Sequence, residues 1–239
     1  FENDIQCLKF ATIPFAKPPI GDLRWRPPES MDPWTDVKDV SNITSDKISY
    51  QTNYGSEDCL YLTVWTKPFF SGKPVMVWIH GGANSSGSGF QACHQKHPFT
   101  EDHDCVHVNI NYRLGVFGFL AHPALASEFE DEDFLKGTTG NYGLLDQIKA
   151  LEWIRDNIAS FGGDPNNVTV FGESAGSNDI EALTGSPLCE VVINGKKIPT
   201  HFHRAIMQSG SYYHFPIGKA RYTISDKEDE TKTFIETVL

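Results

Sequence analysis

The stretch Asn166–Leu183, NNVTVFGESAGSNDIEAL, decides how this chain folds. Val168, Thr169, Val170 and Phe171 are β-branched or aromatic, as a buried strand requires. Ser177 to Leu183 reads as a helix. Between them Gly172, Ser174 and Gly176 form the pattern G-x-S-x-G. A strand, a tight turn and a helix around one serine lift its hydroxyl off the end of a sheet. Glycines on either side let neighbouring backbones approach without a Cβ clash. The helix that starts after Ser174 aims free N–H groups and its positive end at the same spot. The five-residue pattern recurs by chance, so its surroundings must carry the reading.

Working outward, VWIHGGANSSGSG (Val77–Gly89) places a glycine-rich loop directly after a strand predicted at Val75–His80. That is where the backbone amides of an oxyanion hole belong. A phosphate-binding loop is excluded, because no G-x-x-x-x-G-K-[ST] is present and no lysine follows the glycines. Val106–Tyr112 and His203–Gly210 read as further strands. Cys59–Thr66 alternates like a half-buried antiparallel one. Leu144, Leu145, Ile148, Leu151, Ile154 and Ile158 recur at helical spacing, with Gly162 and Gly163 placed to cap the helix. The prolines and glycines of Ile13–Glu29 exclude a long helix or a central strand. Strands alternating with helices predict an α/β domain with a largely parallel sheet covered on both faces.

The chain has 239 residues, 39% of them hydrophobic, and a net charge of −11. Acidic runs at Glu128–Asp133 and Asp226–Glu230 argue against nucleic acid or an anionic membrane as a partner. No apolar run approaches the ~20 residues of an integral membrane segment. Five cysteines make no disulfide scaffold, and their odd number leaves at least one unpaired within the chain. Cys93, His94, His97, His103, Cys105 and His107 match no structural zinc spacing. A polar loop is expected there, with Cys93–Cys105 as a candidate disulfide. No metal or other cofactor is expected. Sequons at Asn42, Asn84 and Asn167 suggest a glycoprotein, secreted or in the secretory lumen.

Several long blocks then fall in one order: Phe10–Glu29, Ser56–Thr66, Pro74–Ala83, Asn111–Ala121, Gly140–Ser177 and Phe202–Ser211. Together they resemble the type-B carboxylesterase/cholinesterase family of α/β-hydrolases. The resemblance implies a mostly parallel central sheet flanked by helices, with residues 1–239 as the N-terminal portion of one such domain, truncated before its C-terminal half. It implies hydrolysis of a small-molecule carboxylic ester through an acyl-enzyme. Ser174 would be the nucleophile, and the amides of Gly82, Ala83 and Ala175 the oxyanion hole. It also implies ion pairs Arg24–Glu57 and Arg113–Asp146, and places Glu173 at the pocket floor, either functional or simply held by local hydrogen bonds.

The chain departs from the family at several points. Asp179, Glu181 and Glu190, then His201, His203 and His214, follow Ser174 in the right order for a triad. Yet Asp179 and Glu181 belong to the helix leaving the turn, and His203 to a structural strand. The acid and histidine are therefore expected beyond Leu239, and this polypeptide alone is not expected to turn over esters. Glu228–Leu239 reads as an amphipathic helix without a natural end. The usual H-G-G-G-F is HGGAN here, so Ala83 must adopt a φ that alanine tolerates, and Asn84 is expected to stay unglycosylated. Ser49 stands where the disulfide partner of Cys59 would be, leaving Cys59 free or paired elsewhere, for instance with Cys7. The shortened loop also lacks the tryptophan that binds choline in cholinesterases, which counts against a choline ester. Cys189–Pro199 looks like an inserted hairpin turning at Asn194–Gly195. The alternative to an enzyme is an adhesion or binding module of the same fold, and retention of Ser174 favours the enzyme.

Overall fold

The computed structural model describes residues 7–39, 47–51, 54–68, 71–90, 98–125, 139–193 and 196–210. In chain order the elements are β1 (Leu8–Pro14), β2 (Tyr61–Thr66), β3 (Lys73–Ile79), α1 (Pro98–His103), β4 (Val106–Ile110) and α2 (Gly115–Phe119). They continue with α3 (Tyr142–Asn157), β5 (Gly163–Glu173), α4 (Ala175–Gly185), β6 (Glu190–Ile193), β7 (Lys196–Pro199) and β8 (Arg204–Gln208). One six-stranded sheet runs β1-β2-β4-β3-β5-β8, and β6 with β7 forms a separate ribbon. The pairs β4–β3, β3–β5 and β5–β8 are parallel, whereas β1–β2 and β2–β4 are antiparallel. The predicted parallel sheet is therefore the centre of a mixed one.

The central strands bury both faces, which is why they read as near-continuous apolar runs. On one face Val75, Val77, Ile79, Val106, Val108, Ile110, Val168 and Val170 share a core with Ile148, Leu151 and Ile154 of α3, Ile158 just after it, and Ile180 and Leu183 of α4. On the other face Trp78 and Phe171 pack 5.0 Å apart, and His107 meets Phe171 edge-on at 5.6 Å. The His107 ring nitrogen Nε2 lies 2.5 Å from Asn109 Oδ1, so this histidine belongs to the buried sheet. Among the described residues β8 is the far edge, with Ile206 and Met207 exposed.

Several expectations are corrected. β2 is buried almost throughout, because β1 pairs on its outer side and makes it an interior strand. β1 itself, ended by Pro14, carries no signal beyond the proline that confines it to an edge. The helix ends through a 3-10 turn, Ile158–Phe161, closed by Gly162 at φ 85, and Gly163 already opens β5. The expected polar loop contains the short helix α1, with Pro98 at its start as proline prefers. The ribbon β6–β7 bears out the hairpin strands, although Asn194–Gly195 lies outside the described residues. So do Cys93, His94, His97, His214, Asn42, both acidic runs and Glu228–Leu239. Cys7 and Cys59 are separate free thiols, so that pairing is overturned. The buried Cys59 thiol is pushed up to about 12 by burial and then by the Asp146 charge, and Ser49 faces it.

Both expected ion pairs form. Arg24 Nε and Nη2 donate to Glu57 at 2.5 and 2.8 Å. Arg113 Nε and Nη2 donate to Asp146 at 2.8 and 2.7 Å, and Arg113 N donates to the same carboxylate at 3.0 Å. This second pair is sealed from water, with side chains 2% and 0% exposed, and it ties the segment after β4 to α3.

Candidate active site

β5 ends at Glu173 and α4 begins at Ala175, which leaves Ser174 as the whole turn between them. Its backbone sits at φ 55, ψ −120, a conformation that costs an L-residue on the order of 1–3 kcal/mol. Bonds on both sides hold it there. Ser174 N donates to Gln208 O of β8 at 2.9 Å, and Ser174 O accepts from the N–H groups of Ser177 and Asn178 as the first turn of α4.

The two flanking glycines explain the motif physically. A Cβ on Gly176 would lie 2.2 Å from Ile79 O and 2.7 Å from His80 O. One on Gly172 would lie 2.7 Å from Ile79 O and 2.8 Å from the Gly176 carbonyl carbon. The ends of β3 and β5 and the start of α4 therefore meet backbone to backbone, at distances no side chain permits. The loop after β3 is drawn onto the serine by the same means. A Cβ on Gly81 would lie 2.6 Å from Glu173 O, 3.1 Å from Ser174 Cβ and 3.2 Å from Glu173 Oε2.

Beyond Gly81 the loop turns through three positive φ angles: Gly82 at 112, Ala83 at 54 and Asn84 at 54. Gly82 O closes the turn by accepting from Ser85 N and Ser86 N, both at 3.0 Å. Alanine at this φ costs roughly 1–2 kcal/mol relative to glycine, so the HGGAN substitution carries a strain that its surroundings hold. Among the described residues, the N–H groups of Gly82, Ala83 and Ala175 donate to no backbone carbonyl. Ala175 N–H is one of the unpaired donors that every helix start leaves open.

Beneath the loop lies a polar cluster that sequence reasoning missed. Asp179 of α4 is 3% exposed. It accepts from Asn84 Nδ2 at 2.9 Å and from Gln147 Nε2 of α3 at 2.7 Å. The Tyr112 hydroxyl donates to His80 O at 2.7 Å and lies 3.2 Å from Asn84 Oδ1, while the His80 and Tyr112 rings stack at 4.4 Å. Burial raises the Asp179 carboxyl to about 6, offset in part by the bonds from Asn84, Gln147 and Tyr112. The three anchoring elements are separated in sequence by tens of residues, so no local pattern announces the cluster. The Asn84 amide is committed to Asp179 and is half-buried.

The downstream histidines sit elsewhere. His203 N donates to Val168 O at 2.8 Å, and its ring Nδ1 accepts from Val168 N at 3.2 Å. Val168 lies six residues before Ser174 along an extended strand, which at ~3.3 Å per residue puts His203 about 20 Å from the serine. His201 faces Thr200 and Glu152 of α3. With Lys149 it holds the Glu152 carboxyl down at about 2. Glu173 is exposed beside Gly81. Among the described residues no group of three His, Cys, Asp or Glu side chains is arranged to hold a metal, and no helix is long and apolar enough to cross a membrane.

A sheet that ends in a strained serine, with a glycine loop folded over it, defines an α/β-hydrolase. Comparison with known proteins narrows the class. The Carboxylesterase family matches residues 1–227, and the chain belongs to that family. It is 42% identical over 217 residues to the fumonisin B1 esterase of Sphingopyxis macrogoltabida, covering 87% of this chain and 37% of that protein. Identity to the para-nitrobenzyl esterase of Bacillus subtilis (strain 168) is 40% over 220 residues, covering 88% and 41%. A solved structure of PNB esterase superposes with a TM-score of 0.73 at 41% identity, covering 88% of this chain and 41% of that one. A carboxylesterase structure from Geobacillus stearothermophilus gives 0.73 at 38%, covering 87% and 41%. The chain thus spans about two fifths of the length of these relatives.

Proposed function

We propose that this chain supplies the nucleophile and the oxyanion-binding amides of a serine carboxylesterase acting on small-molecule carboxylic esters. The observation that carries this reading is Ser174 held at φ 55, ψ −120 on the end of β5, with Gly81 packed against its Cβ. Family membership and relatives named as esterases support the same chemistry. In the reaction Ser174 Oγ attacks the ester carbonyl carbon, and the carbonyl electrons move onto oxygen. The N–H groups of Gly82, Ala83 and Ala175 receive that oxyanion, which a donor set fixed in advance stabilises without reorganisation. Collapse expels the alcohol and leaves an acyl-serine, which water hydrolyses through the same sequence.

The serine proton needs a base; His201 and His203 lie away from the elbow, and in this reading the base and its acid are a histidine and a carboxylate beyond Leu239. A secretory setting is read from the sequons alone, and the bond from the Asn84 amide to Asp179 supports the expectation that this sequon stays unglycosylated. Hydrolysis of p-nitrophenyl esters by a polypeptide carrying this chain with its acid and histidine tests the proposal. Turnover with a burst of one p-nitrophenolate per Ser174, abolished by Ser174→Ala, is expected. Equal turnover by the Ser174→Ala variant overturns it, and absence of turnover in both favours a binding module.

A further inference from the structure

The loop over Ser174 combines two features that are costly separately and compatible together. Ala83 and Asn84 both stand at left-handed φ without being glycine, and Asn84 fills a position beside a buried acid. Asn84 O also accepts from Gly115 N at 2.7 Å, so its backbone and its side chain are each anchored to a different part of the fold. We propose that Asp179 is a positioning residue of the oxyanion hole. Through Asn84 it holds the Gly81–Asn84 loop in its left-handed conformation against the helix that follows Ser174.

Ala83 N–H and Ala175 N–H must point at one atom to act together, and they come from segments about 90 residues apart. Gly81 fixes one end of the loop by backbone contact. At Asn84 the backbone bond from Gly115 N ties the loop to the segment after β4, and the Asn84 side chain is what ties it to α4. Asp179 bridges the two segments directly: it lies on α4, in the second turn after Ala175, and grips Asn84 with one oxygen. Its other oxygen is held by Gln147, which stops the carboxylate from rotating away. Gln147 Oε1 is buried without a hydrogen-bond partner, so the Gln147 amide is oriented by Asp179 alone. Asparagine at position 179 can keep both contacts, since its own Nδ2 can donate to Gln147 Oε1 once the Gln147 amide turns over. Leucine can keep neither.

This inference rests on the esterase reading, and the test separates the two. In the esterase that carries this chain, Asn84→Ala, Asp179→Leu, their double variant and Asp179→Asn are compared. The readouts are kcat, KM and inhibition by a trifluoromethyl ketone, which adds to the serine and puts an oxyanion in the hole. Outright loss of an oxyanion donor lowers kcat by about 10²–10³-fold, and a misplaced donor should cost about 10- to 100-fold. The expected result is that loss in kcat for each single variant, with KM within about threefold and ketone affinity falling in parallel. The double variant should be no worse than the weaker single, and Asp179→Asn should return to within a few-fold of wild type. If Asp179→Leu does not fold, Asn84→Ala carries the test. Wild-type turnover with unchanged kcat in both single variants overturns the positioning role. So does a loss of kcat without any loss of ketone affinity. A wild type that neither turns over esters nor binds the ketone overturns the esterase reading, and this role with it.

Discussion

Gly176→Ala sets two effects of opposite sign against each other. Gly176 is the second residue of α4, and alanine in a helix is favoured over glycine by about 1 kcal/mol. Propensity alone predicts stabilisation. The structure predicts the reverse, because the new methyl would lie 2.2 Å from Ile79 O and 2.7 Å from His80 O. Real Cβ contacts start about 1 Å further out, and both oxygens belong to backbone at the end of a central strand. Overpacking a core with one methyl costs typically ~1–3 kcal/mol, and backbone that cannot rotate aside puts this site at the upper end. The net loss should be about 2 kcal/mol. Gly185, the last residue of the same helix, is the control, since a Cβ there meets nothing within 4 Å. Gly185→Ala should be neutral or stabilising by up to about 0.5 kcal/mol. Urea denaturation of the three proteins gives the comparison, and displacing the end of β3, which carries the Gly81–Asn84 loop, should cut ester turnover by about 10²-fold in Gly176→Ala alone when measured in the esterase that carries this chain. Equal midpoints for the two alanine variants would refute the close-approach account of the motif.

Asp146→Asn leaves the Arg113 guanidinium buried without a counter-charge, and should cost about 3–5 kcal/mol in urea melts, where a cost under about 1 would contradict the pair's structural role. Ser49→Cys faces the Cys59 thiol, and closing a loop of about ten residues should stabilise the oxidised protein by ~2.7 kcal/mol before the lost Ser49–Tyr112 O bond subtracts about 1. The gain should vanish on reduction, and a free-thiol count unchanged after oxidation would refute the juxtaposition. Asp179 has a folded pKa of about 6 against an ordinary 3.8, so the folded state holds the proton more tightly. Its contribution is most favourable below pH 3.8 and falls as pH rises through 6. Tyr112 is the titratable side chain facing it, and Asn84 and Gln147 stay neutral. Asp179→Asn should therefore stabilise the protein by about 3 kcal/mol at pH 8 and by less than about 1 at pH 4; a gain independent of pH would refute the shift.

What the sequence made legible follows from the range of the forces involved. The strand–turn–helix around Ser174 was readable because strand composition, the glycines and the helix are all local. The loop at Gly81–Asn84 was readable for the same reason, and the condition placed on Ala83 turned out to matter, since its φ is 54. The ion pairs came through the family resemblance, because nothing in Arg113 or Asp146 alone announces a partner 33 residues away. Asp179, weighed in the sequence only as a triad acid, reads locally as one more polar residue on an outgoing helix. Its burial depends on α3, the loop after β3 and the segment after β4 converging in space. β2 read as half-buried because alternation records only its own side chains and not the strand that pairs outside it.

The central claim is that Ser174 is an activated nucleophile. Its most direct test is intact-protein mass spectrometry after treatment with a fluorophosphonate, run on this chain and on the esterase that carries it, each beside Ser174→Ala. The account predicts one adduct on the esterase, none on its Ser174→Ala variant, and none on the 239-residue chain alone. Labelling of the esterase that survives Ser174→Ala, or no labelling at all, would contradict the claim. Ser174-dependent labelling of the isolated chain would place the base within these residues, against the positions found for His201 and His203.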